Sequence, residues 1–234
     1  LRSSIKALKI IIDKAGESGV PILFGGDLFH NPKSISNYTL NHFFNGRIFP
    51  GLTYLYALSG NHDFGEQNSI DYRAVSHLDW VSAAYPTVLN VDFQTLMLGD
   101  NVAIHGIPHL QHNMGLVKSI KHILKDIKRS GKHDCKHILM LHTDLPNARD
   151  TDGRIVGTAD NIPEDFEDLL SRFDLVLCGH IHKHQKIYRN TYMVGAPIQQ
   201  RLTDMDNDMG YLEIYDNMSV EFVPLKGYPT FRYY

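Results

Sequence analysis

Four short apolar runs, each followed at once by a polar cluster, constrain this chain more than any other feature. Residues 20–24 (Val-Pro-Ile-Leu-Phe) lead into Gly25-Gly26-Asp27, and residues 52–58 lead into Gly60-Asn61-His62-Asp63. Residues 137–142 end on His142 itself, and residues 174–178 lead into Gly179-His180-Ile181-His182. Apolar runs this short, bounded by turn residues, predict buried strands. In open α/β sheets, side chains at the carboxyl ends of such strands converge on one edge, where ligands bind.

Helical spacing fills most of the intervals. Ile5, Leu8, Ile12 and Ala15 share one face of an opening helix, and the pattern predicts further helices over 36–47, 69–83, 116–129 and 163–172. Short alternating runs at 87–91, 94–98 and 102–105 predict adjacent strands, and only strand signals follow residue 182, at 186–188, 192–194, 211–215 and 220–223. No internal repeat or low-complexity tract interrupts this order. The expectation is an α/β core with strand-only additions at its end.

Composition removes several classes of protein. The 234 residues fit one large domain or one domain with the stub of another, and 43% apolar with 21% charged residues is globular composition. No apolar run approaches the ~20 residues of a bilayer helix, so no membrane partner is expected. Two cysteines, Cys135 and Cys178, are too few for a disulfide framework or a thiolate metal cage, which points to a reducing, cytoplasmic setting. A net charge of −3 leaves nucleic-acid binding to local patches. The chain starts at Leu1 without a methionine or a signal peptide and ends on Tyr234 without a polar tail, so it reads as a fragment.

The polar clusters supply a carboxylate, an amide oxygen and imidazoles. That mixture suits a first-row divalent ion such as manganese, iron or zinc better than calcium or copper(I). His180 and His182, two apart in an extended segment, project to the same side. Glycines at 26, 60 and 179 permit tight turns. Any one element is weak: a lone Gly-Asp is usually a turn and a lone His-x-His usually a surface or core pair. Together, in this order after buried strands, they define a candidate site.

Other clusters take plainer readings. His105, His109 and His112 are read as surface or core histidines, and His184 is left out of the site. Asp204, Asp206 and Asp208 imitate a calcium loop, but the glycine falls one position late and Tyr215 stands where the bidentate Glu belongs, so the segment is read as a solvated loop. Cys178 is read as a small core residue. Lys118, Lys121, Lys125 and Lys128 lie opposite the apolar stripe of their helix, within a stretch (118–136) whose charge balance is +5. A solvated helix face accounts for them, with a DNA-backbone contact as the sharper reading.

Gly26-Asp27, Gly60-Asn61-His62-Asp63, His142 and Gly179-His180-Ile181-His182 resemble motifs two to five of the calcineurin-like metallophosphoesterases. Within them, Gly26-Asp27-Leu28-Phe29-His30 resembles the SbcD-type DNA double-strand-break nucleases and their archaeal and eukaryotic counterparts. Ser/Thr phosphatases differ, carrying Asp-Arg-Gly after the Gly-Asp and Glu after the Asn-His. The tail, with Tyr192-Met193-Val194-Gly195-Ala196-Pro197 and the strands at 211 and 220–224, resembles phage recombination endonuclease subunits.

The resemblance implies a four-layer α-β-β-α sandwich with two mixed β-sheets. Residues 1–223 would form the nuclease core and 224–234 the start of a linker toward a capping domain, while the family's first motif, Asp-x-His, would precede Leu1. The implied cofactors are two divalent metal ions, manganese foremost, with Mg2+, Fe2+ or Zn2+ as alternatives. Asp27 would bridge both ions; Asn61, His142 and His180 would hold one and His182 the other. His62 would protonate the leaving oxygen, Asp63 would orient His62 by a hydrogen bond, and His30 would sit near the scissile phosphate. The implied activity is a DNA phosphodiesterase in an SbcCD-like repair complex, a homodimer paired with an SMC-like ATPase in the cytosol of a bacterium or a phage-infected host. The rival expectations are a phosphodiesterase for small nucleotides and a non-catalytic DNA-end scaffold.

Overall fold

The structure is a computed structural model that describes residues 2–31, 34–45, 52–64, 76–110, 113–131, 134–157 and 162–227. Helix α1 (Arg2–Ser18) places Ile12 and Ala15 in the core with Ile5 and Leu8 packed beside them, the stripe expected from the sequence. It stops in a Schellman arrangement. Gly19, at φ 66°, donates its N–H to Gly16 O (3.1 Å), and Val20 N–H reaches back to Ala15 O (3.0 Å).

Strands β1 (Ile22–Phe24), β2 (Leu55–Ala57) and β3 (Val88–Asn90) form a small sheet, parallel throughout, in the order β1-β2-β3. Helix α2 (Asn37–Phe44) follows β1, and α3 (His77–Ala84) precedes β3. A larger sheet takes β4 (Thr95–Leu98), β5 (Val102–Ile107), β6 (Lys136–His142), β7 (Leu175–Gly179), β8 (Gln185–Tyr188) and β9 (Thr191–Met193) in the order β4-β5-β6-β7-β9-β8. Its centre, β5-β6-β7-β9, is parallel, and both edge strands are antiparallel. Helices α4 (Asn113–Ser130) and α5 (Phe166–Leu170) cross between these strands. Strands β10 (Gly210–Ile214) and β11 (Val220–Pro224) pair as a separate antiparallel ribbon.

Three apolar layers follow from this order. Leu55, Ala57 and Val88 pack with Ile12 of α1 and with Leu78 and Val81 of α3. Tyr56 and Leu58 face Ile104, Ile138, Met140 and Leu177 between the two sheets, with Leu212, Ile214 and Val220 of the ribbon against the same layer. Leu139, Leu141 and Val176 pack outward on Leu116 and Ile120 of α4 and on Phe166, Leu169 and Leu170 of α5. The result is the expected α-β-β-α sandwich. Among the described residues one sheet is mixed and the other purely parallel, and β10-β11 is a third, two-stranded sheet of its own.

Most sequence-based boundaries are close. The helix expected over 163–172 is confined to Phe166–Leu170. The one expected over 69–83 begins at Ser76, whose side chain and Asp79 form a capping box, and its first part (69–75) lies outside the described residues. Of the segment expected as a linker, 228–234 also lie outside them. No described helix is long and apolar enough to cross a membrane.

Candidate metal centre

The sandwich brings the carboxyl ends of β1, β2, β6 and β7 to one edge. Four potential donor atoms meet there. His142 Nε2 lies 3.4 Å from Asp27 Oδ2 and 3.2 Å from Asn61 Oδ1. His180 Nδ1 lies 3.0 Å from Asn61 Oδ1 and 3.2 Å from His142 Nε2. Ligands about 2.0–2.2 Å from a common cation are separated by roughly 3.0–3.5 Å in octahedral or tetrahedral shells, so this spacing fits one divalent ion. Asp27, His142 and His180 are the potential metal-binding group of His, Cys, Asp or Glu found among the described residues.

The rings are held from behind. His142 is 1% exposed and directs Nδ1 at Gly25 O (2.7 Å), which leaves Nε2 as the lone-pair nitrogen. His180 directs Nε2 toward Asp144 Oδ1 (3.5 Å), which leaves Nδ1. Oxygen partners on the outer nitrogen fix the tautomer and ring direction of ligating histidines. Burial pulls the Asp27 carboxyl up, but the His142 ring and the His62 N–H outweigh it and hold it at about 2. Asp27 is therefore anionic at any pH where a cation would bind.

The backbone at the site is strained and tightly packed. Asp27 and His180 have φ of 60° and 91°, a region that non-glycine residues rarely occupy and that costs about 1–3 kcal/mol. Gly26 (φ 104°) has no room for a side chain, since a Cβ there would lie 2.3 Å from His142 Nδ1 and 2.9 Å from Gly60 N. A Cβ at Gly60 would lie 2.1 Å from Asp27 Oδ1.

Asp63 has a different task from the one expected. It is fully buried, and its carboxylate accepts three backbone N–H groups, from Asp27 (2.8 Å), Gly60 (2.9 Å) and Phe29 (3.1 Å). It thus ties the loop after β1 to the loop after β2. Burial pushes its carboxyl up to about 6, against the pull of the Gly60 and Phe29 N–H groups. In place of the hydrogen bond expected between His62 and Asp63, His62 Nδ1 donates to the carbonyl of His30 (2.7 Å), while the Asp63 oxygens are turned to the backbone of the two loops. The His30 and His62 rings stack at 5.9 Å, and His62 N–H donates to Asp27 Oδ1 (2.9 Å). His62 thereby stands beside the donor cluster without joining it.

His182 is not drawn into the four-atom cluster. Its Nδ1 lies 3.3 Å from Asp204 Oδ2. Asp204, read from sequence as part of a solvated loop, is fully buried, which corrects that reading for this one residue. His109, read as a surface or core histidine, lines the site: its ring stacks on His180 at 5.7 Å and its Nδ1 faces His142 O at 3.3 Å. Burial, aided by the charges of His142 and His180, pushes His109 down to about 4. His105 is a buried core residue, and His112 lies outside the described residues. His184 packs on Phe222 (4.5 Å) with Nδ1 on Met193 O (3.1 Å), away from the cluster. Cys178 is fully buried, its thiol pushed up to about 12 by burial. Asp144, Asp204 and His109 were missed because each is one polar residue in a polar loop, and only the fold shows what it faces.

The calcineurin-like phosphoesterase family matches residues 2–184, and the chain belongs to that family. Among solved structures it is similar to TT1561 of Thermus thermophilus, at 15% identity and a TM-score of 0.56, covering 95% of this chain and 94% of that one. It is also similar to a putative 5'-nucleotidase from Staphylococcus aureus in complex with alpha-ketoglutarate, at 12% identity and a TM-score of 0.45, covering 98% of this chain and 49% of that one. No curated protein sequence matches the chain.

Proposed function

We propose that this phosphoesterase is a metal-dependent DNA phosphodiesterase, the nuclease subunit of an SbcCD-like complex. The observation that carries the reading is the juxtaposition of a four-donor cluster with His62, a histidine held beside it yet free of it. The residues fit divalent ions: Asp27, Asn61, His142 and His180 would hold one, and Asp27 with His182 would contribute to a second, manganese being the first candidate. When bound, such ions supply charge neutralisation on the phosphate and a nucleophile at neutral pH.

The chain's own groups supply the rest. Asp27 contributes the fixed negative charge that selects a cation. His62 keeps its Nδ1–H on the His30 carbonyl, so the form that acts as acid is the imidazolium. It gives its Nε2 proton to the leaving oxygen and reverts to the neutral Nδ1–H ring, the step a phosphodiester with a poor alkoxide leaving group needs. His30, stacked on His62, lines the phosphate side. DNA as the substrate is supported by the Gly26-to-His30 motif and by the exposed lysines of α4. The same resemblance supports a homodimer with an SMC-like ATPase partner.

The test sets linear duplex DNA beside bis(p-nitrophenyl) phosphate with Mn2+. Hydrolysis of DNA is expected, with His62→Gln losing turnover at least 100-fold while calorimetry shows Mn2+ binding retained. Turnover of the small diester with intact DNA would put small nucleotides in place of DNA. Loss of Mn2+ binding in the His62 variant would overturn the acid assignment.

A further inference from the structure

Asp204 is buried at a cost that its local bonding does not explain. It closes the 3-10 turn Leu202–Asp204, where Oδ2 accepts the N–H groups of Gln200 (2.8 Å) and Arg201 (2.9 Å). Its other oxygen, Oδ1, is enclosed and accepts no hydrogen bond. A buried, unsatisfied carboxylate oxygen costs more than a neutral group would. Capping two N–H groups of a turn needs no charge, since Ser or Asn caps do it. Beyond the turn, Asp204 is met by the Thr151 hydroxyl, a neutral donor, and by one ring nitrogen, His182 Nδ1, at 3.3 Å.

His182 is fixed in place by its backbone as well. Its carbonyl accepts the Ala196 N–H (2.8 Å), which ties the segment after β7 to the segment after β9 that leads to Asp204. Its side chain is 16% exposed, and with Nδ1 on Asp204 the ring's other nitrogen, Nε2, is the one left for a ligand. The pairing repeats what the neighbouring rings show. His142 keeps its outer nitrogen on Gly25 O, and His180 keeps its own toward Asp144. An imidazole whose Nδ1–H is donated to a carboxylate presents Nε2 as a bare lone pair, with raised basicity.

We propose that Asp204 is a positioning residue that holds the Nδ1–H of His182 and so presents Nε2 as a ligand for a second divalent cation. The proposal rests on the reading of His182 as a metal ligand and is independent of whether the substrate is DNA. It makes the 200–204 turn part of the metal centre, although it lies about twenty residues beyond the His-x-His motif.

The test starts without metal. Two-bond 15N–1H spectra of the 15N-labelled protein are expected to show His182 as the Nδ1–H tautomer, and Asp204→Ala to move it to a mixture with Nε2–H. Asp204→Asn keeps an oxygen at the Oδ2 position for the turn's N–H groups and guards against misfolding. Its melting temperature should stay near wild type, while a neutral acceptor in place of the carboxylate holds the tautomer less firmly than wild type and more firmly than Asp204→Ala. Titration with Co2+ then reads the paramagnetic shift of the His182 ring itself, and both variants should need at least tenfold more Co2+ to reach it. A folded Asp204→Ala protein in which His182 stays Nδ1–H would overturn the proposal and leave Asp204 as a turn cap. A shifted tautomer with unchanged Co2+ response would overturn it too, since His182 would then not be a ligand. Both readouts as expected with no DNA hydrolysis would count against the substrate reading alone.

Discussion

The two sheets contribute to the metal centre in different ways. The large sheet delivers imidazoles. His142 is the last residue of β6 and His180 follows β7 directly, so the register of neighbouring strands of seven and five residues places both. The small sheet delivers oxygens from loops. Its strands are three residues each, too short to fix anything beyond their own ends, and Asp27 and Asn61 sit three and four residues past them. There Asp63 takes over from the ladder, its one carboxylate replacing three backbone hydrogen bonds. Position by strand needs no dedicated residue, whereas position by loop needs a buried charge.

That contrast is open to attack, most forcefully at Asp63. Asp63→Ala leaves three backbone N–H groups without their acceptor and is expected to cost about 3–9 kcal/mol of stability, at about 1–3 kcal/mol for each buried unsatisfied group. Urea denaturation at neutral pH measures it, and a loss under 1 kcal/mol would mean that the loops hold themselves. On the large sheet the order of effects reverses. His142→Ala should lower Mn2+ affinity about 100-fold or more, about 2.7 kcal/mol, as read by calorimetry, with a smaller stability loss than Asp63→Ala.

The halves also differ in the sign of their pH response. His105, 2% exposed on the large sheet between Thr95 Oγ1 and His137, is pushed down to about 4 by burial and by the neighbouring His137. The unfolded chain takes up this proton near pH 6.5 and the folded one only near 4. Acidification through that window therefore costs stability, on the order of 3 kcal/mol for the full shift. Asp63, pushed up to about 6, works oppositely: the unfolded state ionises from pH 3.8 upward before the folded state does, so its contribution is lost as pH rises toward 6. His105→Gln should flatten the acid-side loss between pH 6.5 and 4, and NMR of the wild type should show the His105 ring neutral above pH 5.

The smallest effect belongs to His180. His180→Gly removes a ring but also a strained φ of 91°, so the metal-free protein should change by less than about 1 kcal/mol in thermal or urea unfolding while losing Mn2+ affinity. A large destabilisation would show that the ring's stacking on His109 matters more than the backbone strain.

Much of this could be read in the chain. Alternating apolar runs located all eleven strands among the described residues, because buried strands of three to seven residues must be apolar and must stop where the polar edge begins. The same logic places Asp27, Asn61 to Asp63, His142 and the pair His180/His182 on one edge. The division into ligands and neighbours came from the family resemblance, and His182 falls outside the four-atom cluster. What stayed hidden was support. Asp63 was given the wrong partner, since sequence adjacency to His62 says nothing about which backbone groups lack acceptors. Asp144 and Asp204 looked like the solvated acids around them. His109 looked like any core histidine until β5 was seen to end beside β6.

The lack of side-chain space at Gly26 and Gly60 has a mechanical consequence. At this edge the layers touch backbone to ring, and two hydrogen bonds cross between them, His142 Nδ1 to Gly25 O (2.7 Å) and His109 N–H to Ser59 O (3.1 Å). Away from this edge the sheets are spaced by the side chains of the inter-sheet layer, with one hydrogen bond across it from Tyr56 Oη to Met97 O (3.0 Å). The sandwich is therefore pinned directly at the rim that carries the donor cluster, and breathing of the two sheets is expected to be small there. Amides at the carboxyl ends of β1, β2 and β6 would be the last to exchange with solvent, and a ligand arriving there would be met by a rim that does not adapt to it.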